Sequence, residues 1–171
     1  MTDFSWAFSQ YRDEAGGSQV VNGNSKAKAF VGTDISKWIT TSVTSLLHTF
    51  FMANAMNSDL SKWNVAKVKS LQGTFQSAFN FAGTGLNSWI TTSVTSLDST
   101  FVGAVKMNAD LSGWSVGKVT TMKSMFLNAH ALTSCSKRLI ADVWMRSAAA
   151  VAFSSWNTAW AGETCPKVRE E

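Results

Sequence analysis

One stretch of the chain decides its architecture, Trp38-Ile39-Thr40-Thr41-Ser42-Val43-Thr44-Ser45-Leu46, because the same residues return in the same order at positions 89–97. Tryptophan marks a shorter period inside this duplication, with successive spacings of 25, 26 and 25 residues. A phenylalanine follows each of these tryptophans after twelve residues. The two columns are Trp38, Trp63, Trp89 and Trp114, and Phe50, Phe75, Phe101 and Phe126. Self-similarity of this kind indicates a repeat architecture.

A unit of this length cannot close a hydrophobic core alone, so we expect the units to stack and to place like residues above like. The tryptophan and phenylalanine columns are then predicted to form the structural core. Leu60, Trp63 and Val65 have the spacing of a short strand with its inward residues on one side. The segment that ends at each phenylalanine has roughly helical spacing and predicts a helical or 3₁₀ turn. Residues 27–77 and 78–128 align without a gap, which indicates duplication of a two-coil unit.

The fourth unit resembles a known repeat. It reads Met107-Asn108-Ala109-Asp110-Leu111-Ser112-Gly113-Trp114-Ser115-Val116 and continues through Val119-Thr120 and Met125-Phe126 to Ala129. This pattern is similar to the BspA-like leucine-rich repeats of bacterial surface proteins and of protist and algal proteins, and the resemblance covers residues 27–133. It implies a leucine-rich-repeat-like solenoid, a right-handed stack of about four 25-residue coils with short parallel strands, short helical or 3₁₀ turns and a helical C-terminal cap. It also implies adhesion or recognition without catalytic residues.

The ends of such a stack need caps, because terminal coils would otherwise expose the core. We expect residues 1–26 to form an N-terminal arm or cap, residues 27–133 the repeats and residues 134–171 the C-terminal cap. Leu139, Ile140, Val143 and Trp144 are predicted to share one helical face. The only two cysteines, Cys135 and Cys165, bracket this segment. They indicate a disulfide and an oxidising compartment, or else two buried thiols.

Composition and charge exclude several classes of function. The net charge of +4 is thin and dispersed, which argues against a nucleic-acid site. The sequence has no apolar stretch of bilayer length and no visible targeting segment. His48 and His130 lie far apart and no Cys-x-x-Cys occurs, so neither a metal nor a cofactor is expected, and the protein is predicted not to be an enzyme.

Repeated charged residues have a structural interpretation. Asp34, Asp59 and Asp110 recur at one position and are interpreted as turn caps, with calcium binding as the alternative. Lys67 and Lys118 also recur at one position, and we interpret them as solvated surface.

Two functions remain open. The first is a recognition or adhesion module that binds a protein or a glycan at a cell surface or in another oxidising compartment. Its candidate contacts are residues that vary between units, together with an aromatic residue near the N-terminus: Lys37, Lys62, Asn64, Ser88, Gly113, Ser115 and Trp6. The second is an accessory subunit packed permanently in a larger assembly.

Overall fold

The computed structural model describes residues 2–12, 24, 26–147, 160 and 162–165. Across these residues the chain is built mainly of turns. It has short 3₁₀ turns at Ala27–Ala29, Ile35–Lys37 and Leu86–Ser88 and one α-helix, α1, at Ser134–Trp144. No strand occurs in these ranges, and the backbone forms only isolated parallel bridges. The prediction of a leucine-rich-repeat-like solenoid with short parallel strands is therefore wrong.

The predicted strand segment fails for a visible reason. The backbone is extended at Trp38 and Trp89, as the alternation suggested. Side chains, however, take part in joining the coils at this point. The Trp63 indole N–H donates to the carbonyl of Ile35 at 2.7 Å, and the amide of Asn64 donates to the hydroxyl of Thr40 at 2.7 Å. A ladder of backbone hydrogen bonds, which defines strands, does not form here.

Backbone pairing between coils occurs further along each coil, seven residues after the tryptophan. Parallel bridges run Asp3↔Ser45, Ser45↔Ser70, Ser70↔Ser96 and Ser96↔Thr121, so each coil is bonded to the next. Amides at alternate positions then continue the pairing, as from His48 to the carbonyl of Gln72 at 2.9 Å. Left-handed residues interrupt this segment at two positions per coil. They are His48, Met52, Gly73, Ser77, Ser99, Gly103, Ser124 and Asn128. A residue at positive φ is incompatible with a regular strand, so the backbone closes turns instead.

The interior is a continuous aromatic stack. Ring centroids lie 5.6 Å apart between Phe50 and Phe75, 5.6 Å between Phe75 and Phe101 and 5.7 Å between Phe101 and Phe126, with the rings nearly parallel. This uniform step shows that each coil sits on its neighbour in the same way. Dispersion and burial of such large side chains supply most of the favourable packing.

Residues near the N-terminus extend the stack by one rung. The amides of Phe4, Trp6 and Phe8 donate to carbonyls of the first coil at 3.1, 2.8 and 2.8 Å. The Phe8 ring stacks on Phe50 at 5.5 Å, so it continues the phenylalanine column. Most of the remainder of the predicted 1–26 cap, residues 13–23 and 25, lies outside the described residues.

Helix α1 closes the other end. The side chain of Thr133 accepts a hydrogen bond from the amide of Ser136, which caps its first turn. Ile140 and Trp144 are buried, whereas Leu139 and Val143 are 46% and 47% exposed. The prediction that these four share one inward face is half right, because residues one position apart point about 100° apart around a helix. Trp160 packs on Phe126 at 5.0 Å.

Candidate recognition surface

The tryptophan column is interior in three of its four members. Trp63, Trp89 and Trp114 are 3%, 3% and 2% exposed. Their indole nitrogens donate to backbone carbonyls of the preceding coil, and these carbonyls belong to Ile35, Leu60 and Leu86. Three tryptophans with a satisfied N–H and a buried ring serve packing, so they cannot form a stacking platform for a ligand.

Trp38 departs from the predicted core column, because 40% of its surface is exposed. It belongs to the first coil, where the rings of Phe4 and Phe8 lie 5.7 and 5.5 Å from its own. A depression of about 380 Å³ opens beside it, lined also by Phe30, Val31 and Ile35 among others. At the end of the stack, Trp38 is thus accessible to solvent, whereas the equivalent tryptophans of the other coils are buried. Phe126, at the opposite end of its column, is likewise only partly buried.

The residues on either side of each tryptophan all point outward. We call this set the flank surface: Lys37, Ile39, Lys62, Asn64, Ser88, Ile90, Gly113 and Ser115, all of them exposed. Lys62, Asn64 and Ser88 line a single depression of about 180 Å³ together with Ile90. Three of the predicted contacts, from two neighbouring coils, are thus brought together. The structure places the other predicted members, Lys37, Gly113 and Ser115, at equivalent positions on the first and last coils.

The sequence reasoning missed the two isoleucines of this surface. Ile39 is 86% exposed and Ile90 is 61% exposed, which is unusual for large aliphatic side chains. Ile39 and Ile90 were not among the predicted contacts, although they share their position in the repeat with Asn64 and Ser115, which were predicted to face outward. Alternation of inward and outward side chains also indicates that Ile90 is exposed. Trp89 and Thr91 are both buried, so the residue between them must face solvent.

Trp6, the remaining predicted contact, lies elsewhere. Its ring packs on His48 at 4.4 Å and on Tyr11 at 6.5 Å, and it is half-buried. These partners belong to the turn that carries left-handed residues, not to the flank surface. Trp6 therefore fixes the N-terminal rung to the first coil.

Charged residues near the flank surface act locally. Lys37 pairs with Asp34 at 3.1 Å, and both side chains are largely exposed, so the pair contributes little stability. The pKa of Asp59 is lowered chiefly because its carboxylate accepts a hydrogen bond from the Ser61 amide. Asp110 accepts the equivalent bond from the amide of Ser112. In the part of the chain that the structure describes, no cluster of His, Cys, Asp and Glu could hold a metal ion.

Cys135 and Cys165 are joined in a disulfide, with their Cα atoms 4.5 Å apart. The bond ties the first turn of α1 to a segment 30 residues further along the chain. An ion pair between Lys137 and Glu163 at 3.4 Å lies beside it. No helix of the described ranges is both long and apolar enough to cross a bilayer.

Stacked coils of about 25 residues around a shared interior define a repeat protein. Residues 18–139 match the family model described as "Mycoplasma protein of unknown function, DUF285", and the chain belongs to this family. The match includes all four tryptophan coils and ends inside α1, so the N-terminal rung and the second cysteine lie beyond it. Searches of curated proteins and of solved structures returned no match.

Proposed function

We propose that this protein is a non-catalytic recognition module that binds a protein partner through the flank surface. The observation that carries the proposal is the exposure of Ile39 and Ile90 at equivalent positions of alternate coils. Aliphatic side chains in contact with water are stabilised when a partner covers them, and polar neighbours such as Lys62 and Asn64 can give that contact its specificity. The BspA-like character of the repeat motif supports a role in adhesion or recognition.

We further propose that the protein works at a cell surface or in another oxidising compartment. The disulfide between Cys135 and Cys165 supports this placement, because reducing compartments keep such thiols unpaired. Alkylation of native extracts without reductant, followed by mass spectrometry, tests it. A free thiol on either cysteine in the native protein would contradict the proposal.

Substitutions taken from the chain itself test the recognition surface. Coils two and four carry Asn64 and Ser115 where the other coils carry isoleucine, so Ile39→Asn with Ile90→Ser should leave the stack intact. We expect the double variant to lose the proteins that co-purify with the native chain under mild conditions. Leu127→Ser, at a residue 54% exposed in another part of the coil, is the matched control and should retain them.

A permanent subunit of a larger assembly is the second candidate. It is favoured by further exposed apolar side chains on α1 and at the residue that follows it, since Leu139, Val143 and Met145 are 46%, 47% and 42% exposed. Purification from the source organism separates the two functions. Fixed, stoichiometric companions that survive high salt support the subunit, whereas a chain that elutes alone and binds its partner reversibly supports the recognition module.

A further inference from the structure

Three lysines lie on a part of the surface that the proposed function does not use. The third, fourth and sixth residues after each tryptophan are exposed or half-buried, and the fifth is a buried valine. We call the outward residues of these three positions, over four coils, the lysine strip. It contains Lys67, Lys69 and Lys118, and no acidic residue occupies these positions in any coil. Elsewhere the strip carries serine, threonine, alanine or glycine.

A hydrogen-bonded ladder fixes the sixth position of every coil. Backbone amides of Thr44, Lys69, Thr95 and Thr120 each donate to the residue one rung below, beginning with the carbonyl of Thr2, at 2.7 to 2.9 Å. Each threonine hydroxyl donates to that same carbonyl as well. Lys69 lacks this second bond. Its side chain therefore adds nothing to the ladder, although a threonine would fit there.

The fourth position shows the same contrast. Ser93 uses its hydroxyl to bind the carbonyl of Ala66 at 2.6 Å, which joins two coils. Lys67 and Lys118 occupy the equivalent position in the second and fourth coils. Within the described residues, neither these two lysines nor Lys69 makes a side-chain hydrogen bond or an ion pair.

Three lysines in other parts of the molecule have internal partners. Lys37 binds Asp34, Lys106 binds Asn80 and Lys137 binds Glu163. The three strip lysines thus keep their charge available to an outside ligand. Lys67 and Lys118 are two coils apart, so their positions along the stack differ by about 10 Å if each rung advances by the usual strand spacing. Cations repeated along one direction suit a polymer that carries repeated anions.

We propose that the lysine strip binds an acidic polysaccharide. Lysine ammonium groups meet carboxylate or sulfate, and the interleaved hydroxyls and small side chains leave room for hydrated sugar rings. The strip has no exposed aromatic or large aliphatic side chain. A protein partner would usually need such an anchor, and single-stranded nucleic acid would need a stacking platform. The proposal uses different residues from the flank surface and stands independently of it.

Dextran sulfate and polygalacturonate test the proposal on the full chain, with unsulfated dextran as the neutral probe. The decisive variant is Lys67→Ser, Lys69→Thr and Lys118→Ser, which installs the residues that other coils carry at these positions. The charge-matched control is Lys26→Ser, Lys28→Ser and Lys106→Ser, outside the strip. We expect the native chain and the control to bind at least one acidic probe in low salt, and the strip variant to bind it at least about tenfold more weakly.

Several outcomes would overturn the proposal. Equal weakening by the strip variant and its control would mean that only net charge matters. Comparable binding of unsulfated dextran would mean that charge does not drive the binding. Tighter binding of polyglutamate or DNA would mean that the ligand is a polyanion of another class. A variant with arginine at the three positions should bind like the native chain, which keeps the test valid if the serine–threonine variant folds poorly.

Discussion

At the scale of single residues, the interior tryptophans do two things at once. Trp63 fills the space between two coils, and its indole N–H satisfies the carbonyl of Ile35. The same carbonyl also accepts a hydrogen bond from the backbone amide of Trp38 at 3.1 Å, so the indole adds a second hydrogen bond that joins the two coils. Trp38 holds the equivalent position of the first coil but lies partly in solvent, because it belongs to the terminal coil.

This difference predicts unequal effects of truncation. Trp63→Ala should lower the free energy of unfolding by about 3–5 kcal/mol, because it opens a cavity and removes one of the two hydrogen bonds to the Ile35 carbonyl. Trp38→Ala should cost less than half as much. Urea unfolding followed by circular dichroism measures both. Equal losses would mean that Trp38 is covered as fully as the inner tryptophans.

Gly85 meets a backbone requirement at the aspartate position of the repeat. Its φ is +88°, and a Cβ there would lie 2.1 Å from the amide nitrogen of Ser61. We expect Gly85→Ala to destabilise the protein by about 1–3 kcal/mol through strain and displacement. Gly117→Ala is the matched control, since a Cβ there meets nothing within 4 Å. Thermal unfolding of the two variants measures the difference, and similar melting temperatures would contradict the prediction.

The sequence predicts which residues share a column of the stack better than it predicts their backbone conformations. The period places Trp63, Trp89 and Trp114 in one column because stacked units must superimpose like residues. The sequence does not predict that His48 and Met52 adopt positive φ, because residues other than glycine rarely do. The outward isoleucines were also missed, although Asn64 and Ser115 at the same position of the other coils were predicted to face outward.

At the scale of elements, the turn after each bridge takes the place of the predicted helical or 3₁₀ segment. In the first coil this turn holds His48, which packs between Trp6 and Phe51 and against Gly73. Burial lowers the pKa of His48 because its charged form loses hydration. The N-terminal rung thus packs, through Trp6, against a histidine whose surroundings disfavour its protonated form.

A pH dependence follows with a definite sign. The folded protein holds His48 neutral at pH values where the unfolded chain already binds a proton, so stability is full above about pH 6.5 and falls as the pH drops toward the lowered pKa. His48→Asn, which tolerates positive φ, should reduce the difference between melting temperatures at pH 8 and pH 5. His130→Asn, at an exposed histidine, should keep that difference. Identical profiles for the native chain and His48→Asn would refute the assignment.

The second element-scale prediction concerns the disulfide at α1. Cross-linking Cys135 to Cys165 closes a loop of about thirty residues, which in the chain-entropy account stabilises the folded state by about 3.6 kcal/mol. Replacing both cysteines by serine should lower the melting temperature, and added reductant should have the same effect on the native chain only. A double variant that melts with the native chain would show that the helix docks without the bond.

At the scale of the whole molecule, uniform coil contacts predict that the stack can be lengthened. Asn128 and Ser77 are equivalent left-handed residues, and each precedes a buried alanine. A second copy of residues 78–128, inserted after Asn128, should therefore continue the stack in register. We expect one cooperative urea transition with a larger dependence of the unfolding free energy on urea, because more surface becomes buried. Two separate transitions would contradict a uniform interface.

The ends of the molecule were harder to predict than its middle. The N-terminal rung joins the first coil at a separation of 42 residues, from Asp3 to Ser45, so it falls outside the regular period. It also lacks a tryptophan in the column that revealed the repeat. The burial of Phe4 against Trp38 and Trp63 and the stacking of Phe8 on Phe50 show that it belongs to the same interior.

The even step between coils has a consequence for inheritance. A gene that encodes the same stretch twice, 51 residues apart, can pair with itself out of register during recombination. The offset preserves the reading frame, and each exchange adds or removes two coils. Because each exchange adds or removes a whole two-coil unit, every joint in the products is one that the native stack already contains, so the products would fold, and their length would change in increments of about 10 Å. Alleles of different length should thus arise readily in a population, with selection acting on reach rather than on stability.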